Sequence, residues 1–379
     1  MVYLDYAANT PIDEEVLDIY YDVSMNYYGN PNSLHKFGKK ANKKIEEATN
    51  KIAKLLKVDD DEIIYTSGAT ESNNLVIKGI CERYKNNGKH ILLSSLEHSS
   101  VLSPASIMQN MGFEVELIPV RADGIVDVKE LKKMIRHDTI LVSVVSVDSE
   151  LGLVQPIEEI GKILKAYPNI YFHSDASQSI GKVDIDYSNV DLITISPHQF
   201  YGMNDIGILV KKKNVGIKPL INGGRNIRGG TPNTAGVVAA AFALKKALKK
   251  RAKRYNYVKE LNKELISFLE QYENVRINNT NKSIPFTVNF SVRGVSSKRI
   301  VDYLDSKDIY VSAKTSGSPV ETPSKLVYAL TKDKSLAASC VRVSLSHLTT
   351  VSEIEQFEEA FESCLVELEN NGKVWLLYC

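Results

Sequence analysis

The chain has 379 residues, with 47 Lys and Arg against 46 Asp and Glu, 43% hydrophobic residues and four cysteines. This length and balance describe an ordinary globular protein of two domains with a large core. A net charge of +1 without a dense basic block excludes a nucleic-acid partner held by phosphate attraction, and Lys211-Lys212-Lys213 reads as solvated loop. Cys81, Cys340, Cys364 and Cys379 share no metal or CxxC spacing, so a reducing, cytoplasmic setting is expected. The N-terminus lacks the pattern of a signal peptide, and the apolar stretch Val237 to Leu244 is far short of the roughly 20 residues that span a bilayer, so no membrane partner is expected.

Between about residues 60 and 210, β-rich runs alternate with amphipathic helical segments. The strand candidates are Glu62 to Thr66, His90 to Leu93, Val115 to Ile118, Thr139 to Val145, Ile170 to His173, Leu192 to Ile195 and Ile206 to Val210. Several are almost wholly apolar, which suits strands covered on both faces, and the alternation predicts a mainly parallel α/β sheet. A long helix is expected from Thr234 to Tyr272, bridging to a smaller α+β region. That region carries strand candidates at Ser283 to Val292, Ile309 to Ala313 and Val341 to Leu345, and helices at Ser297 to Ser306 and Val351 to Leu368. The reading divides the chain into an N-terminal segment of 1–15 packing with the small domain, a large domain of 16–250 and a small C-terminal domain of 251–379.

Polar clusters fall where strands of this sheet should end, and that edge is where ligands of such sheets bind. Thr66-Ser67-Gly68-Ala69-Thr70 lies between a strand and a helix and offers backbone N–H groups to an anion; alternatively Ser67 or Thr70 simply caps the helix. Glu97-His98, Ser174 to Gln178 and Ser196 to Gln199 complete the set. An Asp that holds a pyridine nitrogen protonated, a His that stacks on the ring and a Gln that contacts a phenolic oxygen suit an aromatic, phosphorylated, nitrogen-containing ligand.

These clusters, with Tyr3 to Pro11, Gly29 to His35, SGATESNNL, LEH, SDASQS and VRVSLSHLTT, resemble the cysteine desulfurases, pyridoxal 5′-phosphate enzymes of the class V aminotransferase family. The resemblance runs over essentially the whole chain. It implies the type I fold of pyridoxal phosphate enzymes, with a seven-stranded sheet and a small C-terminal α+β domain, and a homodimer. It makes Ala69 and Thr70 part of a phosphate cup, with Ser196 and His198 also on the phosphate. His98 would stack on the ring, Asp175 pair with its nitrogen, Gln178 contact its hydroxyl and Thr231 reach the partner subunit's phosphate. Arg342 matches the arginine that grips a substrate carboxylate, so a small amino acid is the expected ligand, and a sulfur-metabolism protein is an expected partner.

The sequence departs from the family pattern in the segment Gly202 to Gly207, in a shortened loop from Asn222 to Arg228, and at three site positions. Gln199 stands where the family has its Schiff-base lysine, and a carboxamide forms no imine. Lys314, in Ala313-Lys314-Thr315-Ser316-Gly317-Ser318, stands where the family has its nucleophilic cysteine, and Ser149 replaces an Asn that faces the cofactor. The main expectation is therefore a degenerate homologue that has lost desulfuration and acts in binding or regulation, with pyridoxal phosphate held non-covalently or absent. Two alternatives stay open: an active enzyme of altered chemistry on a small amino acid, with Lys314 replacing the usual lysine, and an engineered Lys-to-Gln form of a working enzyme.

Overall fold

The computed structural model describes residues 1–224, 227–314 and 322–376, and side chains as far as residue 368. Most of the loop 313–318, with residues 225 and 226, lies outside the described residues. The strands are β1 (Val2–Tyr3), β2 (Ile63–Thr66), β3 (His90–Ser94), β4 (Glu114–Ile118), β5 (Thr139–Ser143), β6 (Tyr171–Asp175), β7 (Leu192–Ile195), β8 (Gly207–Lys211), β9 (Val275–Ile277), β10 (Thr287–Val292), β11 (Ile309–Tyr310) and β12 (Cys340–Ser344). The helices are α1 (Glu14–Asn26), α2 (Lys36–Leu56), α3 (Ala69–Tyr84), α4 (Ser99–Asn110), α5 (Val128–Met134), α6 (Ile157–Leu164), α7 (Thr234–Leu269), α8 (Ser297–Asp305), α9 (Lys325–Thr331), α10 (Lys334–Ala338) and α11 (Val351–Leu376).

Seven strands form one sheet in the order β2-β8-β7-β6-β5-β3-β4. Every pair is parallel except those of β8, which runs antiparallel to both β7 and β2. The mainly parallel sheet expected from the alternation, seven-stranded as the resemblance implies, is therefore present. Strands β3, β5, β7 and β8 are buried along their whole length, because helices cover both faces. The carboxyl ends of β2, β3, β5, β6 and β7 share one edge, and Gly207, the first residue of β8, meets Thr66 there.

The long helix α7 joins two apolar cores. Its first part, with Val237, Ala240, Leu244 and Ala247, packs against the sheet beside Phe200 and Val210. Its small buried alanines let the backbone approach the sheet closely. Farther along, Val258, Leu261, Leu265 and Leu269 pack with Phe290, Val341, Phe357 and Phe361 around the three-stranded antiparallel sheet β12-β10-β9. Val2 and Leu4 enter this second core, and β1 pairs in parallel with β11.

Three strand expectations were too long: Thr139 to Val145 overruns β5 by two residues, and two others by more. Ser283 to Phe286 lies outside β10 because Ile284 donates to Gly152 O and Ser283 only bridges to Leu153, so this backbone is spent on another loop. Strand β11 stops at Tyr310, after which Ser312 bridges Arg342. The Lys211 to Lys213 run is not solvated loop either. Lys211 ends β8, buried, with its amine on the carbonyls of Lys212 and Val215, while Lys212 pairs with Glu62 and Lys213 with Asp59 and Asp61. No described helix is long and apolar enough to cross a membrane.

Candidate functional site

The shared strand edge opens into a cavity of about 690 Å³ including its open mouth. Ala69, Thr70, His98, Ser149, Asp175, Gln178, Ser196, His198, Gln199 and Arg342 all line it, so ten of the site candidates named from sequence converge on one space. Thr231 and Lys314 do not. Thr231 lies with Thr66, Ser67 and Arg228 in a second cavity, and Lys314 lies in a third that shares Leu96, His98 and Ser149 with the first.

The anion end is built on the start of α3. Gly68 occupies the N-cap without a side-chain cap, so neither Ser67 nor Thr70 caps the helix, and the first-turn N–H groups are left to other acceptors. The Glu71 carboxylate takes the Ser67 N–H at 2.7 Å, just before the N-cap, and the Arg228 guanidinium at 2.9 Å. A Cβ on Gly207 would lie 2.4 Å from Thr66 Oγ1 and 2.5 Å from Gly68 C, so the loop requires a glycine in the neighbouring strand. Opposite, Ser196 Oγ and His198 Nδ1 are 3.1 Å apart at the start of the short 3-10 turn Pro197–Phe200. Burial and the nearby Lys182 charge hold the His198 pKa below its ordinary value, so the ring is neutral at pH 7.

At the end of β6, Asp175 is 5% exposed and accepts from the Ser177 N–H, the Ser177 hydroxyl and Asn73 Nδ2, the last at 2.7 Å. Asn73 gives its other amide hydrogen to Ser100 Oγ at 2.8 Å, and that hydroxyl lies 2.8 Å from His98 Nδ1. The Ser100 N–H also donates to Nδ1 while His98 caps α4, which makes Nδ1 an acceptor and leaves the ring N–H on Nε2. A chain of buried hydrogen bonds thus fixes the imidazole and the carboxylate relative to each other. Neither Asn73 nor Ser100 was singled out in the sequence, because their role appears only when α3, α4 and β6 are brought together. Burial and then the Asp175 charge raise the Glu97 pKa to about 8, so Glu97 is protonated at pH 7.

Gln199 donates through Nε2 to the carbonyls of Ala7 at 3.0 Å and Ala8 at 3.1 Å. Gln178 Nε2 also reaches Ala7 O, at 2.9 Å, while its Oε1 accepts from the Lys182 amine at 2.6 Å. Burial, with Arg342 nearby, pushes the Lys182 pKa down to about 7. Lys182 was not anticipated; a lysine within SDASQSIGK gives no signal of being behind a cavity until the turn after β6 is folded.

Arg342, fully buried on β12, spends Nη2 on Asp5 at 2.7 Å and Nη1 on Ser149 O at 2.9 Å, and its Nε has no partner among the described residues. Lys314 is 7% exposed, and its amine donates to Thr322 O and, at 3.1 Å, to Thr322 Oγ1. Its placement in the neighbouring cavity does not put it beside Asp175 and Gln199. Cys81, Cys340 and Cys364 are buried free thiols outside the cavity lining, and burial raises the pKa of each.

A mainly parallel seven-stranded sheet, with a cavity of these residues at its carboxyl edge, defines a type I fold of the pyridoxal phosphate enzymes. Comparison with known proteins gives the family: residues 2–357 match the model of aminotransferase class V, and the chain belongs to that family as a cysteine desulfurase-like member. It is 39% identical over 376 residues to cysteine desulfurase IscS of Dictyoglomus turgidum, covering 97% of this chain and 95% of the relative. It is 37% identical to the mitochondrial cysteine desulfurase of Saccharomyces cerevisiae, covering 99% of this chain and 77% of that one. Among solved structures it superposes on a NifS-like protein with a TM-score of 0.90 at 33% identity, covering 96% of this chain and 99% of the other.

Proposed function

We propose that this chain is a homologue of the cysteine desulfurases that binds a phosphorylated pyridine without a covalent lysine link and does not desulfurate cysteine by the family route. The observation that carries this reading is the cavity lining, in which Gln199 sits where the family has its lysine and no amine or thiol accompanies it. Residues 315–321 contain no lysine or cysteine in sequence and add neither group.

The remaining residues fit the cofactor. The open start of α3 with Ala69 and Thr70, together with Ser196 and His198, would hold a phosphate. Asp175 would keep the ring nitrogen protonated, His98 would lie against the ring, and Gln178 has one amide hydrogen left for a ring oxygen. When bound, pyridoxal 5′-phosphate supplies an electron sink for carbon chemistry. Arg342 would orient an amino-acid carboxylate, with Ser149 beside it. Thr231 would complete the phosphate site of the partner in a homodimer, and the chain would act as a binding or regulatory member of sulfur metabolism in the cytoplasm.

Purified protein mixed with pyridoxal 5′-phosphate and reduced with borohydride should carry no cofactor fixed in the cavity, and cysteine should release no sulfide. Equilibrium dialysis should still show binding of the phosphopyridine. Sulfide release at rates typical of the family, or cofactor fixed to Lys314, would overturn the reading in favour of the active enzyme.

A further inference from the structure

The turn that follows β6 carries two groups of opposite charge. Asp175 ends the strand and lines the cavity, whereas Lys182, farther along the same turn, does not line it and stands behind Gln178. The turn is fixed. Ser179 N donates to Ala176 O at 3.1 Å and Lys182 N to Ser179 O at 3.0 Å. Gly181 takes a φ of +79°, and a Cβ there would lie 2.9 Å from the Ala247 Cβ, so the chain passes α7 at a point that glycine alone permits. The Lys182 amine donates to Gln178 Oε1 at 2.6 Å and lies 6.0 Å from the centre of the Phe286 ring, and it pairs with no carboxylate among the described residues. Arg342, the like charge that bears on it, is already compensated by Asp5. The Lys182 charge is felt in the cavity, since it helps to hold the lining residue His198 neutral.

A 3-hydroxypyridine bound as its zwitterion presents a positive ring N–H and a negative ring oxygen. Asp175 answers the first. We propose that Lys182, acting through Gln178, answers the second, so that the cavity selects phosphopyridines whose ring oxygen is present and ionised. The proposal rests on the phosphopyridine reading above and adds the residue that creates the demand for the ring oxygen. Lys182 is a positioning residue and touches no ligand. Its charge polarises the Gln178 amide and lowers the energy of a negative atom beyond it, which a field does across a closed wall. Burial and Arg342 lower the Lys182 pKa to about 7, and an anionic oxygen in the cavity opposes that shift, so ligand and ammonium stabilise each other.

Calorimetric titration of the intact protein with pyridoxine 5′-phosphate and with 3-deoxypyridoxine 5′-phosphate, which lacks the ring oxygen, tests this. The unaltered protein should bind the first about a hundredfold more tightly than the second. In Lys182→Met that ratio should fall about tenfold, equivalent to about 1.4 kcal/mol, while the deoxy probe keeps its affinity. Lys182→Gln, which keeps a donor for Gln178 without the charge, should lose the ratio in the same way and decides the matter if the methionine variant does not fold. Lys182→Arg, which keeps the charge, should retain the ratio. A ratio unchanged in a folded uncharged variant, a ratio lost equally in Lys182→Arg, or a loss shared by both probes overturns the role of the Lys182 charge. Equal affinities for the two probes in the unaltered protein overturn the selectivity and leave the phosphopyridine reading standing. Failure of both probes to bind overturns that reading itself.

Discussion

The Asp5 carboxylate accepts from the Arg342 guanidinium at 2.7 Å, across 337 residues of sequence. Arg342 is fully buried and Asp5 is mostly buried, so each charge depends on the other for compensation. The pair ties the N-terminal segment to β12 at the wall of the cavity. It also means that the residue proposed to grip a substrate carboxylate already holds one from its own chain.

Removing the acidic partner leaves an uncompensated buried cation. Asp5→Ala should therefore lower the unfolding free energy by about 3 kcal/mol, read from urea denaturation. Asp5→Asn, which keeps an acceptor, should lose clearly less.

If Arg342 also orients amino acids, it does so through N–H groups that Asp5 and Ser149 O leave over. Arg342→Ala should weaken amino-acid binding about tenfold or more while leaving phosphopyridine affinity nearly unchanged. Equal amino-acid affinity before and after would remove Arg342 from the site.

Gly207 is required by contact distance rather than by backbone angle. Gly207→Ala places a methyl group against Thr66 Oγ1 and the Gly68 backbone, so it should cost about 1–3 kcal/mol of stability and weaken phosphate-bearing ligands more than ligands without phosphate. Thermal unfolding with paired titrations of phosphorylated and dephosphorylated probes separates the two effects.

Glu97 gives the pH dependence a sign. Its pKa is about 8 in the folded protein against an ordinary value of 4.5, so between these values the folded state binds a proton that the unfolded state does not. This contribution to stability is complete below about pH 4.5 and is lost as pH rises through about 8. Glu97→Gln, which retains an acceptor for the Val145 N–H, should remove that decline. Urea midpoints at pH 5 and pH 8 should differ less in the variant than in the unaltered protein.

The fold was largely legible before any coordinates. Apolar runs bounded by polar turns mark fully covered strands, as at β3, β5, β7 and β8, and all seven strands of the large sheet fall on runs picked out as strand candidates. The strand ends were less legible, as at Ser283, because backbone groups there are claimed by loops far away in sequence. Eight of the ten cavity residues fall in polar clusters at strand ends that a parallel sheet must bring to one edge, whereas Ser149 and Arg342 were named only through the family resemblance.

What the sequence alone determined is covalent capability. No folding gives Gln199 a nucleophilic amine, since the amide lone pair is delocalised into its carbonyl, and none gives residues 313–318 a thiol. The tertiary structure decided what those side chains face. It turned Gln199 onto Ala7 and Ala8, joined His98 to Asp175 through Ser100 and Asn73, placed Lys182 behind Gln178 and kept Lys314 in the neighbouring cavity. Each of these is a contact of a few ångströms between distant parts of the chain, set by helix and strand packing that leaves no periodic trace in the residues themselves.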